Sequence, residues 1–201
     1  MRHYSRHAAS LSGCIDWKES IFMEKTHSTT ILAVRRESRV AIAGDGQVTL
    51  GNSVIKGHAK KVRLLASGKV ICGFAGSAAD GIALLERLEQ KLESCGGNLT
   101  RAAVDLAKEW RMDRALRHLE AVLLVSDGKL IYLLSGNGDI IEPDGDCIAI
   151  GSGAPYAHAA ALMLLKHTSL SVMEIVREAL GVAAQMCIYT NHEITALELT
   201  S

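Results

Sequence analysis

Between residues 29 and 74 the chain offers β-rich stretches in quick succession, each parted from the next by a turn too short to hold a helix. Parallel strands need a crossover of about a dozen residues or more, so this spacing favours an antiparallel sheet. The stretches are residues 29–34, 40–43, a hairpin over 48–55 folded at Gly51-Asn52, then 62–66 and 70–74 about the turn Ser67-Gly68-Lys69. Two helical patterns follow. Residues 78–93 set Ile82, Leu85, Leu88 and Leu92 three and four apart and stop before Gly96-Gly97; residues 99–116 repeat the pattern, with Asn98 or Thr100 as cap. A second strand block covers 121–125, 130–134, 140–141 and 147–150. Helices over 155–167 and 171–189 and a last strand over 193–199 complete the chain. Helix pairs set between blocks of antiparallel strands predict an α+β fold, a four-layer αββα sandwich with two sheets face to face and helices outside.

With 201 residues, 48% of them hydrophobic and only two prolines, the chain suits one domain with a sizeable core. Residues 29–201 read as that domain, and residues 1–28 as an N-terminal extension. Within the extension, residues 1–22 are set apart by composition. Their first 15 positions carry Arg2 and Arg6 but no acidic residue, and Met23 is the expected start. A net charge of zero argues against nucleic acid as a partner, and no apolar run is long enough to span a bilayer. The five cysteines, Cys14, Cys72, Cys95, Cys147 and Cys187, include no Cys-x-x-Cys pair. Three of them sit in apolar runs and suggest buried thiols in a reducing compartment, and the set suggests neither a zinc site nor a disulfide framework.

Glycine-rich turns such as Gly44-Asp45-Gly46, Gly136-Asn137-Gly138 and Gly151-Ser152-Gly153 never extend to a nucleotide-binding loop, so the chain itself is expected to bind no nucleotide. No Gly-x-Ser-x-Gly elbow and no zinc-protease helix are present either.

A longer series is more specific. It begins with Thr29-Thr30-Ile31-Leu32-Ala33-Val34-Arg35-Arg36 and Ala43-Gly44-Asp45-Gly46-Gln47-Val48-Thr49-Leu50-Gly51-Asn52. Lys56-Gly57-His58-Ala59-Lys60-Lys61-Val62-Arg63, Gly73-Phe74-Ala75-Gly76 and Ser135-Gly136-Asn137-Gly138-Asp139 continue it. It closes with Ile148-Ala149-Ile150-Gly151-Ser152-Gly153 and Cys187-Ile188-Tyr189-Thr190-Asn191-His192. In order and spacing these resemble the HslV (ClpQ) family, the bacterial relatives of proteasome β subunits, over essentially all of residues 29–201. Alone, Thr29 would be a β-former, Asp45 a turn residue and Lys61 a surface charge.

The resemblance implies an N-terminal-nucleophile hydrolase of threonine type, an endopeptidase that degrades unfolded proteins. Thr29 is its nucleophile, and a hydroxyl needs an adjacent base. Once Ser28 is cleaved away, the α-amino group of Thr29 can be that base, with a reference pKa of about 7.7–8.0. By match with the family Lys61 is the nearby ammonium, Asp45 its acidic partner and Ser152 a proton relay. A main-chain amide at Gly76 receives the oxyanion. Many relatives expose the threonine directly after the initiator methionine; here residues 23–28 intervene, so the precursor should be inert until self-processing. The family also places a sodium ion on main-chain carbonyls that match Ala184, Cys187 and Thr190. The implied assembly is a homododecamer of two stacked hexameric rings in the bacterial cytoplasm. Its implied partner is HslU (ClpY), a hexameric AAA+ ATPase that activates the peptidase allosterically. The rival readings are another N-terminal-nucleophile amidohydrolase and an unprocessed structural ring subunit.

Overall fold

A computed structural model describes residues 26–27, 29–113, 116, 119–136 and 138–201. The strands are β1 (Thr26–His27), β2 (Thr30–Arg36), β3 (Arg39–Gly44), β4 (Val48–Leu50), β5 (Ser53–Lys56), β6 (Val62–Leu65), β7 (Val70–Gly76), β8 (Ala121–Ser126), β9 (Ile131–Ser135), β10 (Ile140–Ile141), β11 (Cys147–Gly151) and β12 (Thr195–Thr200). The helices are α1 (Ala78–Ser94), α2 (Leu99–Met112), α3 (Ala154–His167) and α4 (Val172–Met186). Among the described residues every strand pairing is antiparallel.

One sheet runs β11-β2-β3-β12 and a second runs β10-β9-β8-β7-β6. The alternation along each inner strand sorts its side chains to two faces. On β2, Ile31 and Ala33 join the core between the sheets, while Leu32 and Val34 join the core under α3 and α4. On β7, Ile71 and Ala75 face the first sheet, while Val70, Cys72 and Phe74 pack beneath α1 and α2. Three cores therefore separate four layers, helix–sheet–sheet–helix, as the element order predicts. Because both inner strands are apolar on each face, they read as continuous hydrophobic runs rather than as alternating ones.

The local signals set most boundaries. Asn98 caps α2 through its side chain, which accepts from the Arg101 amide, whereas Thr100 turns instead to the Tyr132 hydroxyl at 3.1 Å. Ser171 and Glu174 form a reciprocal capping box at the start of α4. Two helices end earlier than their apolar patterns do. The α4 helix stops at Met186 rather than at Tyr189, with Cys187 already extended at φ −104° and ψ 118°. The α2 helix stops at Met112, where Asp113 is extended; residues 114, 115, 117 and 118 lie outside the described residues. A third small sheet, β1-β4-β5, was not foreseen: Thr26 and His27 pair with Leu50 and Thr49 on the β4–β5 hairpin. Among the described residues no helix is long and apolar enough to cross a membrane.

Candidate active site

The structure places Thr29 just before β2, Asp45 after β3, Lys61 before β6, Gly76 at the end of β7 and Ser152 in the turn after β11. Thr29 is buried and lies between β1 and β2 with φ at 101°, a backbone region that a β-branched residue rarely enters. Its carbonyl accepts from the Ser152 amide at 3.0 Å. Gly151 has φ at 94°, and a β-carbon there would stand 1.9 Å from the Thr29 oxygen. Only glycine permits this approach. Ser152 therefore meets Thr29 through its main chain, with its side chain exposed.

Asp45 is the organising group. It follows β3, is fully buried, and accepts from the Thr30 amide at 2.8 Å, the Gln47 amide at 2.9 Å and the Asn191 amide at 3.3 Å. The Lys61 ammonium lies 3.4 Å from the same carboxylate oxygen that holds Thr30, and also donates to the Gln47 carbonyl. At 3% exposure Lys61 is a buried cation with one carboxylate for company. Burial pushes its pKa down from 10.5 to about 8, against the opposing pull of Asp45. An ammonium poised so near neutrality fits a reactive site better than a surface.

Gly76 ends β7 opposite Ala121, with φ at 109°. Its glycine is demanded by the chain itself, because a β-carbon would meet the Glu120 carbonyl at 2.2 Å. Ala75 and Gly76 join Gly151 and Gly136 in the wall of a cavity of about 420 Å³. Gly76 and Gly151, the latter pressed against the Thr29 carbonyl, thus open onto one space.

Four side chains whose contacts sequence reasoning did not foresee complete the site. The hydroxyls of Thr30 and Thr190 lie 2.8 Å apart, and the Gly153 amide donates to Thr30 at 2.9 Å. The Asn191 side chain accepts from the Gly46 amide and donates to the Gly57 carbonyl. Gln47 reaches the Ile188 carbonyl at 2.8 Å. The run Cys187–His192 carries the family resemblance, so its position was visible, but nothing in its residue types announced contacts to Thr30 and Asp45.

The same run holds two of the three carbonyls named for sodium, those of Cys187 and Thr190, and the third, Ala184, lies in the last turn of α4. Because α4 ends at Met186, Cys187 N–H bonds back to Ala183, and Thr190 N–H bonds to Cys187. Among the described residues no three His, Cys, Asp or Glu side chains cluster to hold a metal ion. Hard carbonyl oxygens at the negative end of a helix suit an alkali cation, and Cys187 is not needed as a thiolate.

Comparison with known proteins gives the site a setting. The family model described as proteasome subunit matches residues 25–199. A curated relative from Sulfurihydrogenibium sp. (strain YO3AOP1), named ATP-dependent protease subunit HslV, is 58% identical over 88% of this chain and 99% of its own. Another of that name, from Petrotoga mobilis, is 59% identical over 84% of this chain and 96% of its own. The crystal structure of eukaryotic HslV from Trypanosoma brucei superposes with a TM-score of 0.81 at 43% identity, covering 86% of this chain and 99% of that one. Thiobacillus denitrificans BPH, at 19% identity and a TM-score of 0.69 over 85% of this chain and 97% of its own, shares the fold.

Proposed function

Because this chain belongs to the proteasome-subunit family, as a proteolytic subunit of the HslV kind, we propose that it is a threonine peptidase whose nucleophile is Thr29 Oγ1. The observation that carries this reading is the buried Asp45–Lys61 pair, whose carboxylate oxygen also holds the amide of the residue next to Thr29. Cleavage of the Ser28–Thr29 bond supplies the missing base. The freed amine takes the hydroxyl proton, and Oγ1 attacks the substrate carbonyl. Lys61, still largely protonated at neutral pH, favours the neutral amine and steadies the developing alkoxide. The oxyanion is received by the main-chain amide at Gly76. Collapse forms an ester on Thr29 and passes the proton to the departing amine; water then attacks the ester and restores the hydroxyl. The backbone at Thr29 supports self-processing, because its unfavourable φ ceases to exist once the preceding bond is cut.

The Ser152 amide donates to the Thr29 carbonyl at 3.0 Å, which supports a place for the Ser152 hydroxyl as a proton relay beside the new amine. A sodium ion held by the Ala184, Cys187 and Thr190 carbonyls would supply no step of the reaction. It would tie the end of α4 to the turn that carries Thr190 and Asn191, and so support Thr30 and Asp45. The subunit is assigned to a double hexameric ring fed with unfolded protein by an HslU-type ATPase, which activates it on docking.

Intact mass of the purified particle tests the reading, together with casein degradation in the presence of ATP and the ATPase. The expected chain begins at Thr29, and the Thr29→Ala variant should neither process nor hydrolyse. Undiminished hydrolysis by that variant would end the assignment.

A further inference from the structure

The bonds between β7 and β8 decide which way the Gly76 amide points. In an antiparallel ladder, residues that exchange main-chain bonds alternate with residues whose N–H and C=O groups turn outward. The Ser77 amide donates to the Glu120 carbonyl at 2.9 Å, so these two residues form a bonded pair. Gly76 and Ala121, the pair before it, therefore turn their N–H and C=O groups away from one another. Phe74, two positions earlier on β7, shows where that direction leads. Its amide donates to the Lys61 carbonyl at 3.2 Å. The Gly76 N–H thus leaves β7 on the side where Lys61 lies.

The pair of Ser77 and Glu120 is incomplete as a rung of the ladder. Its second bond would run from the Glu120 amide to the Ser77 carbonyl, but that carbonyl is already the first acceptor of α1 and takes the Gly81 amide at 2.9 Å. The Asp80 carboxylate stands in for it, accepting from the Glu120 amide at 2.9 Å across 40 positions of sequence. Gly81 lets the first turn of α1 lie close enough, because a β-carbon there would meet the Phe74 ring at 2.1 Å. The chain can therefore leave the sheet at Gly76, where φ is 109°, without releasing the start of β8. An acidic residue in the first turn also suits the positive end of a helix, but that local role needs no partner on β8.

We propose that Asp80 is a positioning residue for the oxyanion: its carboxylate, in place of the Ser77 carbonyl, holds Glu120 and so fixes the direction of the Gly76 N–H. This rests on the peptidase reading above, in which that amide receives the developing charge. A donor already aimed at the oxyanion needs no reorganisation as charge develops, whereas a loosened one must be aimed anew in each turnover. Asp80 does not line the cavity that Gly76 and Gly151 share, so its loss should leave ground-state binding nearly intact.

The test compares Asp80→Ala, which removes the acceptor, with Asp80→Asn, whose amide oxygen can still accept from Glu120. Each is made as the full chain and also behind a removable fusion that exposes Thr29, so that hydrolysis is read whether or not self-processing succeeds. With the ATPase partner present, Asp80→Ala should lose about ten- to a hundredfold in kcat while KM changes by less than about twofold, and Asp80→Asn should keep most of the rate. A peptide aldehyde, which forms a tetrahedral adduct on Thr29, should bind Asp80→Ala more weakly by the same factor as kcat/KM. The matching peptide alcohol, which forms no adduct, should bind as before. An undiminished kcat in Asp80→Ala, equal losses in both variants, or equal losses of aldehyde and alcohol binding overturns the inference and leaves the peptidase reading standing. Failure of Asp80→Ala to assemble overturns it too, since the bond would then serve the fold. No Thr29-dependent hydrolysis by the native particle overturns both.

Discussion

Replacing Asp45 by asparagine removes one charge and almost no volume, and the consequences can be followed atom by atom. In the native site Lys61 already sits at about 8 rather than 10.5, a bias of about 3 kcal/mol against the ammonium. That bias is what remains after the attraction of Asp45 at 3.4 Å, which is worth about 5 kcal/mol at an effective dielectric constant near 20. Without the carboxylate charge only the desolvation is left, so Lys61 becomes neutral at pH 7. The amide nitrogen of asparagine also cannot accept, so one of the Thr30, Gln47 or Asn191 N–H groups loses its partner. Breaking a buried pair from one side costs about 3–5 kcal/mol of stability. Loss of the cation that steadies the alkoxide should cost about 10²–10³ in rate. The assay is peptide hydrolysis by assembled Asp45→Asn particles from about pH 6 to about pH 10, spanning both titrating groups, beside a chemical melt. The expected result is a lowered midpoint and a rate at pH 7 at least about a hundredfold down. Wild-type rate with an unchanged pH profile would refute the role of the pair.

Other outcomes follow from single contacts. Between about pH 8 and 10.5 the folded chain has shed the Lys61 proton while the unfolded chain keeps it, so stability rises with pH through that window. Denaturation midpoints measured at both ends should show the rise, and Lys61→Gln should abolish it. Gly151→Ala puts a β-carbon 1.9 Å from the Thr29 oxygen in a φ region unfavourable to alanine; intact mass should find the Ser28–Thr29 bond uncut or slowly cut. Burial raises the Cys72 thiol far above its usual range and lifts Cys147 to about 11, while Cys95 is partly exposed. A thiol reagent at neutral pH should therefore label Cys95 and spare the other two, as read by peptide mass.

The layer order was legible because short turns and helical periods are local signals. The hairpin at Gly51-Asn52 and the stripe through Leu85, Leu88 and Leu92 need no partner to be read. What escaped depends on contacts between distant segments. Gln185-Met186-Cys187-Ile188-Tyr189 could continue a helix, yet the chain leaves it at Cys187, where Gln47 bonds the Ile188 carbonyl and Thr30 meets Thr190. These bonds span more than a hundred positions, beyond any window of periodicity. The site divides in the same way. Thr29, Asp45 and Lys61 were nameable from the family motifs, whereas Thr30, Asn191 and the hydroxyl of Thr190 acquire meaning only when the two ends of the domain meet. The pairing of Thr26 and His27 with β4 was equally invisible, since no hydrophobic pattern marks two residues.

The position of β2 in its sheet bears on what scission before it does to the molecule. Terminal strands commonly lie at a border, where a loose end frays. This one is flanked by β11 on one side and β3 on the other, so a chain beginning at Thr29 starts in the middle of a hydrogen-bonded fabric. Its first nitrogen would inherit a fixed direction from neighbours that were assembled before the cut, and breaking the chain there would liberate an amine without unmooring it.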